Sequence, residues 1–296
     1  MRIDLHAHTC MSDGTDTPSE LVRAAVAAGL DVVAITDHDT SVGWDEAAAA
    51  ARAAGIGLLR GMEISTRFRG RGVHLLGYLP DPTHPGLLAE LRSVLDGRDA
   101  RVPAMVARLR DLGLDVTVEG VRRLAGPTAA VGRPHVADAL VAKGYVASRG
   151  EAFDRYLSPG RVAYASRAAG DLETMLAALR AAGGVGVVAH PWGRHDPGVL
   201  DHDGLAHLAD LGLVGIEVDH QDHDAASRAE LREIARSLGL VVTGSSDYHG
   251  HGKVDHDLGC NLTAPDELER LLDAAAAAAR AAGRDVPAMI WPHPPV

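Results

Sequence analysis

The chain has 296 residues and a formal net charge of −11, from 29 Lys and Arg against 40 Asp and Glu. That length suits one large domain or a core with a sizeable insertion, and 46% apolar residues suffice to bury such a core. The acidic balance argues against electrostatic wrapping of long duplex nucleic acid, 3% aromatics argue against a broad base-stacking platform, and Cys10 and Cys260 alone cannot make a disulfide framework.

In chain order, short β-rich runs alternate with Ala/Leu/Arg-rich helical runs, the pattern of an α/β fold with parallel strands. A strand is predicted at Arg2–His6. A helix follows, with Thr17 as N-cap, Pro18 in the first turn, Glu20 completing a capping box and Gly29 as the stop. Next come a strand at Val32–Asp37, a helix at Trp44–Ala54, and strands at Gly57–Ile64 and Val73–Tyr78. From about Pro80 to Pro159 the pattern is helical, at Pro85–Leu112, Val118–Leu124, Pro134–Ala142 and Arg149–Tyr156. This reads as a helical insertion (80–159) between barrel strands, with residues 1–79 and 160–296 forming the barrel. The second half predicts a helix at Leu172–Ala182, strands at Val185–His190 and Val214–Asp219, a helix at Ala225–Leu238, strands at Leu240–Ser245 and Leu258–Thr263, and a helix at Pro265–Ala282. The proline-rich tail Pro287–Val296 is expected to pack as extended chain or to fray. No internal repeat is evident. Asp4 and His6 interrupt any leader-like apolar stretch and no apolar run reaches the roughly 18 residues of a spanning helix, so a cytoplasmic enzyme without membrane contact is expected.

Sixteen histidines are the unusual feature of the composition, and neutral imidazole is a common metal ligand at physiological pH. His6, His8, Asp37, His38, Glu63, His190, Glu217, Asp219 and His220 close predicted strands. Asp13, Asp247 and His249 follow strands, and His74 lies within one. In a β/α barrel the carboxyl ends of the strands meet on one face, where the active site is built. His6 and His8, two apart on a strand end, present imidazoles to one side, and Glu63 and Asp247 are suited to bridging metals. Mixed N/O ligands favour Zn, Mn or Fe over Ca or Mg. Two such ions about 3.5–4 Å apart can clamp a phosphoryl group and activate water. His195, His220 and His223 are candidates for supporting these ligands; His84, His202, His207, His251, His256 and His293 read as surface or loop residues.

The segments DLHAHTCMSDG (4–14), ITDHDT (35–40), GMEIS (61–65), His74, AHP (189–191) and SSDYHG (245–250) occur in an order that resembles the PHP (polymerase and histidinol phosphatase) superfamily. The chain is most similar to its stand-alone phosphoesterases acting on nucleotides. The resemblance implies a distorted (β/α)7 barrel with a helical insertion and two or three divalent ions (Mn2+, Fe2+ or Zn2+). It implies a first set of His6, His8, Glu63 and Asp247, a second of Glu63, His74 and His190, and a third of Asp13, His38 and His249, with Asp37 orienting a ligand. It also implies that Arg133 and His135 in VGRPH (131–135) reach toward substrate phosphate, with Arg161 and Tyr164 further candidates for the pocket wall. The implied substrate is a small phosphorylated nucleotide, foremost a nucleoside 3′,5′-bisphosphate losing its 3′-phosphate. The alternatives are 5′→3′ exonuclease action on short RNA oligonucleotides and histidinol-phosphate hydrolysis.

Overall fold

The computed structural model describes residues 1–165, 169–193 and 197–291. The first half contains β1 (Ile3–Asp4), α1 (Pro18–Ala27), β2 (Val32–Ile35), α2 (Trp44–Ala54), β3 (Gly57–Phe68) and β4 (Arg71–Tyr78). Four helices follow: α3 (Pro85–Asp111), α4 (Val118–Ala125), α5 (Arg133–Ala142) and α6 (Arg149–Ala152). The second half contains β5 (Gly170–Asp171), α7 (Leu172–Ala181), β6 (Val185–Val188), α8 (His202–Asp210), β7 (Gly215–Asp219), α9 (Ala225–Leu238), β8 (Val241–Gly244) and α10 (Pro265–Ala281).

Seven strands run in the order β1-β2-β3-β4-β6-β7-β8, with β5 added to the far end of β3. A parallel bridge between Ala7 and Tyr248 joins the chain after β1 to the chain after β8. The sheet is thus a nearly closed barrel, the distorted α/β barrel that the sequence suggested.

The expectation of parallel strands fails at β4, which is antiparallel to both β3 and β6. The cause is local. Only Arg69 and Gly70 link β3 to β4, both with positive φ (46° and 79°). That is the backbone of a tight hairpin turn, and two residues cannot make the crossover that parallel strands need. β3 consequently runs past the predicted Ile64 to Phe68, placing Glu63 inside a paired strand and not at its end.

The predicted strand Leu258–Thr263 is a turn segment, broken where Gly259 takes φ +76° and Cys260 N–H bonds to Asp257 O at 3.0 Å. Helix α8 was not predicted, because Leu205 and Leu208 are its only fully buried leucines and Gly204 interrupts the pattern. Its start signal was present: Asp201 accepts the Gly204 N–H at 2.8 Å. Helix α6 passes into a wider turn at Phe153–Leu157, where Ser158 N–H bonds to Phe153 O at 2.9 Å.

Side-chain packing divides into three clusters. One fills the space between the barrel and its helices, and one, including Ile3, Leu59, Tyr78 and Leu271, packs strands against α10. The third lies wholly within residues 102–165. Helix α3 belongs to two of them: Leu87, Leu91 and Val94 pack on the barrel, whereas Val102, Met105 and Leu109 build the separate helical core. Helix α7 buries Leu172, Met175, Leu176 and Leu179 completely, each worth about 1.5–3 kcal/mol relative to exposure. It lies so close to β6 that a Cβ at Gly186 would stand 2.7 Å from Leu176. Among the described residues no helix is long and apolar enough to cross a membrane.

Candidate metal centre and active site

His6 and His8 follow β1, and both are fully buried. Their Nε2 atoms face each other at 3.0 Å. Glu63 lies 3.4 Å from the first and 3.2 Å from the second through Oε2. Asp247 Oδ1 lies 3.5 and 3.4 Å from the same two nitrogens. The other Glu63 oxygen, Oε1, meets His74 Nδ1 at 2.6 Å and His190 Nε2 at 3.1 Å. His38 Nδ1 approaches Oε2 at 3.1 Å. Asp13 adjoins His249 Nε2 at 3.3 Å, His38 Nε2 at 3.7 Å and His8 Nδ1 at 3.8 Å. All nine residues singled out from sequence therefore converge. His8 stands between the Asp13 group and the Glu63–Asp247 group, so each holds donor atoms within 4.8 Å of one another.

The electrostatics of the cluster are those of a cation site. Burial alone would raise the carboxyls, yet the surrounding imidazoles outweigh it: His38 and His249 hold Asp13 well below its usual range, and His74, His38 and His6 do so for Glu63. Burial opposes a charge on His6 and His8, but neighbouring carboxylates prevail. His6 is held well above its ordinary value and His8 is raised to about 9. Buried imidazoles and carboxylates on interlocking 3 Å contacts fit divalent ions that take N and O ligands. The backbone is strained at the same place, with positive φ at His190 (28°) and Asp247 (52°). Such outliers cost about 1–3 kcal/mol each and persist where surrounding structure over-determines them.

Asp37 contributes through the loop that carries Asp13. It accepts Thr9 N–H (2.7 Å), Thr9 Oγ1–H (2.6 Å) and Ser12 Oγ–H (2.6 Å). Gly14 is required in that loop, since a Cβ there would lie 2.6 Å from His8 O. The helical segment braces the same loop on three successive carbonyls. Thr128 Oγ1 donates to Met11 O at 2.7 Å, His135 Nε2 to Ser12 O at 3.0 Å and Arg149 Nη1 to Asp13 O at 2.8 Å.

His135 takes part in this bracing. Its Nδ1 accepts Gly132 N–H at 3.1 Å and its Nε2 is bonded to Ser12, so a buried ring has both nitrogens engaged in holding the loop. Arg133 does line the cavity, with its guanidinium 5.4 Å from the Phe153 ring centre and 5.9 Å from that of Tyr164. His256, expected at the surface, is buried. His195 and His293 lie outside the described residues.

A cavity of about 720 Å³ opens over the cluster, with His38, His74, His190 and His249 on its floor. Arg98, Arg101, Arg133, Arg149 and Lys253 supply cationic walls, and Val141, Phe153 and Val254 an apolar one. Of the cations only Arg133 was picked out from sequence. Lys253 carried a signal, being one of only two lysines in the chain; its ammonium contacts the Asp247 carboxylate. The arginines of α3 carried none, because nothing local says which face of a 27-residue helix meets the barrel.

Comparison with known proteins agrees with this geometry. The PHP domain profile matches residues 4–116. A 5′-3′ exoribonuclease of Haemophilus influenzae is 36% identical over 248 residues, covering 84% of this chain and 90% of that protein. A 3′,5′-nucleoside bisphosphate phosphatase of Chromobacterium violaceum is 36% identical over 258 residues, covering 87% and 90%. A crystal structure from Bifidobacterium adolescentis, described as a metal-dependent phosphoesterase, superposes with a TM-score of 0.87 at 37% identity, covering 92% of this chain and 96% of that one. The buried His/Asp/Glu cluster and full-length relatives at this identity establish that the chain belongs to the PHP family, as a metal-dependent phosphoric ester hydrolase.

Proposed function

We propose that the enzyme removes the 3′-phosphate from a nucleoside 3′,5′-bisphosphate, releasing the 5′-monophosphate and inorganic phosphate. The observation that carries this reading is the cavity: a His/Asp/Glu floor, a cationic lining that includes Arg133 and Arg149, and an apolar lining that includes Phe153 and Val254. A ligand with two phosphates and one base matches these three surfaces. The similar phosphatase of Chromobacterium violaceum is named for that substrate.

In this proposal two or three ions of Mn2+, Fe2+ or Zn2+ bind: a first to His6, His8, Glu63 and Asp247, a second to Glu63, His74 and His190, and a third to Asp13, His38 and His249. When bound, they supply Lewis-acid neutralisation of phosphoryl charge and a more acidic water. The chain's own part is positioning. Arg133, its guanidinium over the rings of Phe153 and Tyr164, presents a planar fork that suits phosphate oxygens at the start of α5, a helix end that favours anions. Phe153 and Val254 offer the base apolar contact. The helical segment 80–159 acts as the substrate-selecting lid over the barrel of residues 1–79 and 160–296.

A second reading, 5′→3′ trimming of short RNA, is favoured by the size of the cavity and by the exoribonuclease similarity. A phosphate-release assay with Mn2+ separates the two. It compares adenosine 3′,5′-bisphosphate, 5′-AMP, 3′-AMP, histidinol phosphate and a short 5′-phosphorylated RNA. Release from the bisphosphate with accumulation of 5′-AMP is the expected result. Consumption of RNA alone, with mononucleotide products, replaces the first reading by the second, and release from histidinol phosphate alone overturns both.

A further inference from the structure

The carboxyl end of β7 contributes no residue to the nine that converge, yet two of its side chains reach them. Glu217 is fully buried and accepts from His6 Nδ1–H at 3.1 Å, from the His190 backbone N–H at 2.9 Å and from the Ser245 hydroxyl. His220 is fully buried too, with Nε2 lying 3.4 Å from Asp247 Oδ2. Glu217 and His220 are three apart, a spacing that in a regular strand puts side chains on opposite faces. The β7–β8 pairing explains the exception. Glu217 pairs with Thr243 and Asp219 with Gly244, so two steps on β7 match one on β8. A bulge of this kind re-aims the residues that follow it, and here it turns His220 to the side of Glu217.

His220, Asp247 and His256 bring three donor atoms within 4.8 Å, a grouping that would suit another ion. The hydrogen bonds decide against it. His220 Nδ1 accepts the Asp222 N–H at 3.1 Å. An imidazole that accepts at one nitrogen carries its proton on the other, so His220 turns Nε2–H, not a lone pair, toward Asp247 Oδ2, at 3.4 Å and short of a hydrogen bond. Asp247 is thereby divided: Oδ2 accepts from the Lys253 ammonium and lies beside His220, while Oδ1 faces His6 and His8. His6 is divided in the same sense, with Nδ1 on Glu217 and Nε2 turned to Glu63 and Asp247.

We infer that the bulged end of β7 is the positioning strand of the metal centre, with Glu217 fixing the ring of His6 and His220 fixing the carboxylate of Asp247. The inference rests on the proposed reading of His6 and Asp247 as ligands of one ion. Ligand-orienting partners of this type are typically worth about 10–100-fold in metal affinity.

The test is Mn2+ affinity of the full chain, measured by competition with a chromophoric chelator, with circular dichroism as the check on folding. The variants are Glu217→Gln, His220→Ala, His220→Gln and Asp247→Asn. Glu217→Gln and His220→Ala are expected to weaken Mn2+ binding by about 10-fold or more. His220→Gln, which keeps an N–H donor, is expected to recover most of the loss, a rescue that simple refilling of a cavity would not require. Near-native affinity in Glu217→Gln and His220→Ala, with Asp247→Asn clearly weakened, overturns the positioning role and leaves the ligand assignment standing. Near-native affinity in Asp247→Asn overturns the ligand assignment itself. Should His220→Ala fail to fold, the near-isosteric Glu217→Gln decides.

Discussion

Arg149 Nη1 donates to the backbone carbonyl of Asp13 at 2.8 Å, across 136 residues of sequence. The same guanidinium makes a two-point contact with Asp138 at 2.6 and 2.7 Å. It thus ties α5 and α6 to the loop that presents Asp13. With Thr128 on Met11 and His135 on Ser12, the helical segment holds this loop by its backbone and leaves its side chains free to face the cluster.

The His135 tether is pH-sensitive. Burial pushes this imidazole below its ordinary value of 6.5, so the unfolded chain takes up the proton more readily than the folded one. The stability it contributes is present above pH 6.5 and is lost as pH falls below that value toward the depressed folded pKa. His135→Gln is therefore expected to flatten the decline of Tm between pH 7 and pH 5 relative to wild type. Parallel Tm profiles would show that the ring does not titrate with unfolding.

Metal uptake also strengthens as pH rises, through different groups. His8 is raised to about 9 and His6 is held high by its carboxylate neighbours. An imidazole must shed its proton to ligate an ion. Mn2+ affinity is expected to climb between pH 6 and pH 9, with protons released on binding. Calorimetry in buffers of different ionisation enthalpy reads the proton count directly, and a buffer-independent heat would contradict it.

Asp13→Ala removes the carboxylate that meets His8, His38 and His249. Bound metal per chain should fall, and phosphate release should drop by more than the roughly 10–100-fold typical of a lost ligand partner. Elemental analysis and a turnover assay on the same sample check both. Full metal content with full activity would refute the role of Asp13.

Arg133→Ala should act on substrate, not on metal. Removing a fork that binds phosphate in ground and transition states alike raises KM with kcat little changed. The expected loss is about 10-fold or more in kcat/KM, from a charge-assisted contact worth about 1.5–3 kcal/mol. Unaltered KM with a collapsed kcat would move Arg133 into the reacting centre.

Arg98 on α3 forms a buried ion pair with Asp39 at 2.5 Å and donates to Ser65 Oγ at 2.7 Å. Asp39 in turn accepts the Ser65 N–H at 2.7 Å. Truncation of one partner strands a buried charge, at a cost of about 3–5 kcal/mol. Arg98→Ala is expected to lower unfolding free energy by that amount in urea titrations. A loss below about 1 kcal/mol would mean that water reaches Asp39.

The converging residues were legible in the sequence because each lies in or beside a strand, and strands are short apolar runs between turn residues. The helical segment was legible for the complementary reason, since α3 to α6 keep helical periodicity without an intervening strand. What escaped depended on pairing across the chain. Arg69-Gly70 encodes the hairpin that reverses β4, but its meaning appears only once β3 has a partner on that edge. The bulge that aligns Glu217 with His220 exists only in the register of β7 on β8. The engagement of His135 with Ser12 required knowing which carbonyls the barrel leaves exposed to α5.

Glu63 occupies the centre of a strand hydrogen-bonded on two sides: its N–H meets Thr36 O at 3.0 Å, its C=O receives Asp39 N–H at 3.1 Å, and β4 runs along the opposite edge. The carboxylate shared by five histidines is thus anchored in the sheet backbone, whereas the arginines around the cavity ride on helices with a core of their own. Because Thr128, His135 and Arg149 brace the Asp13 loop, a change in the helical segment reaches that loop while leaving Glu63 at its place in the sheet.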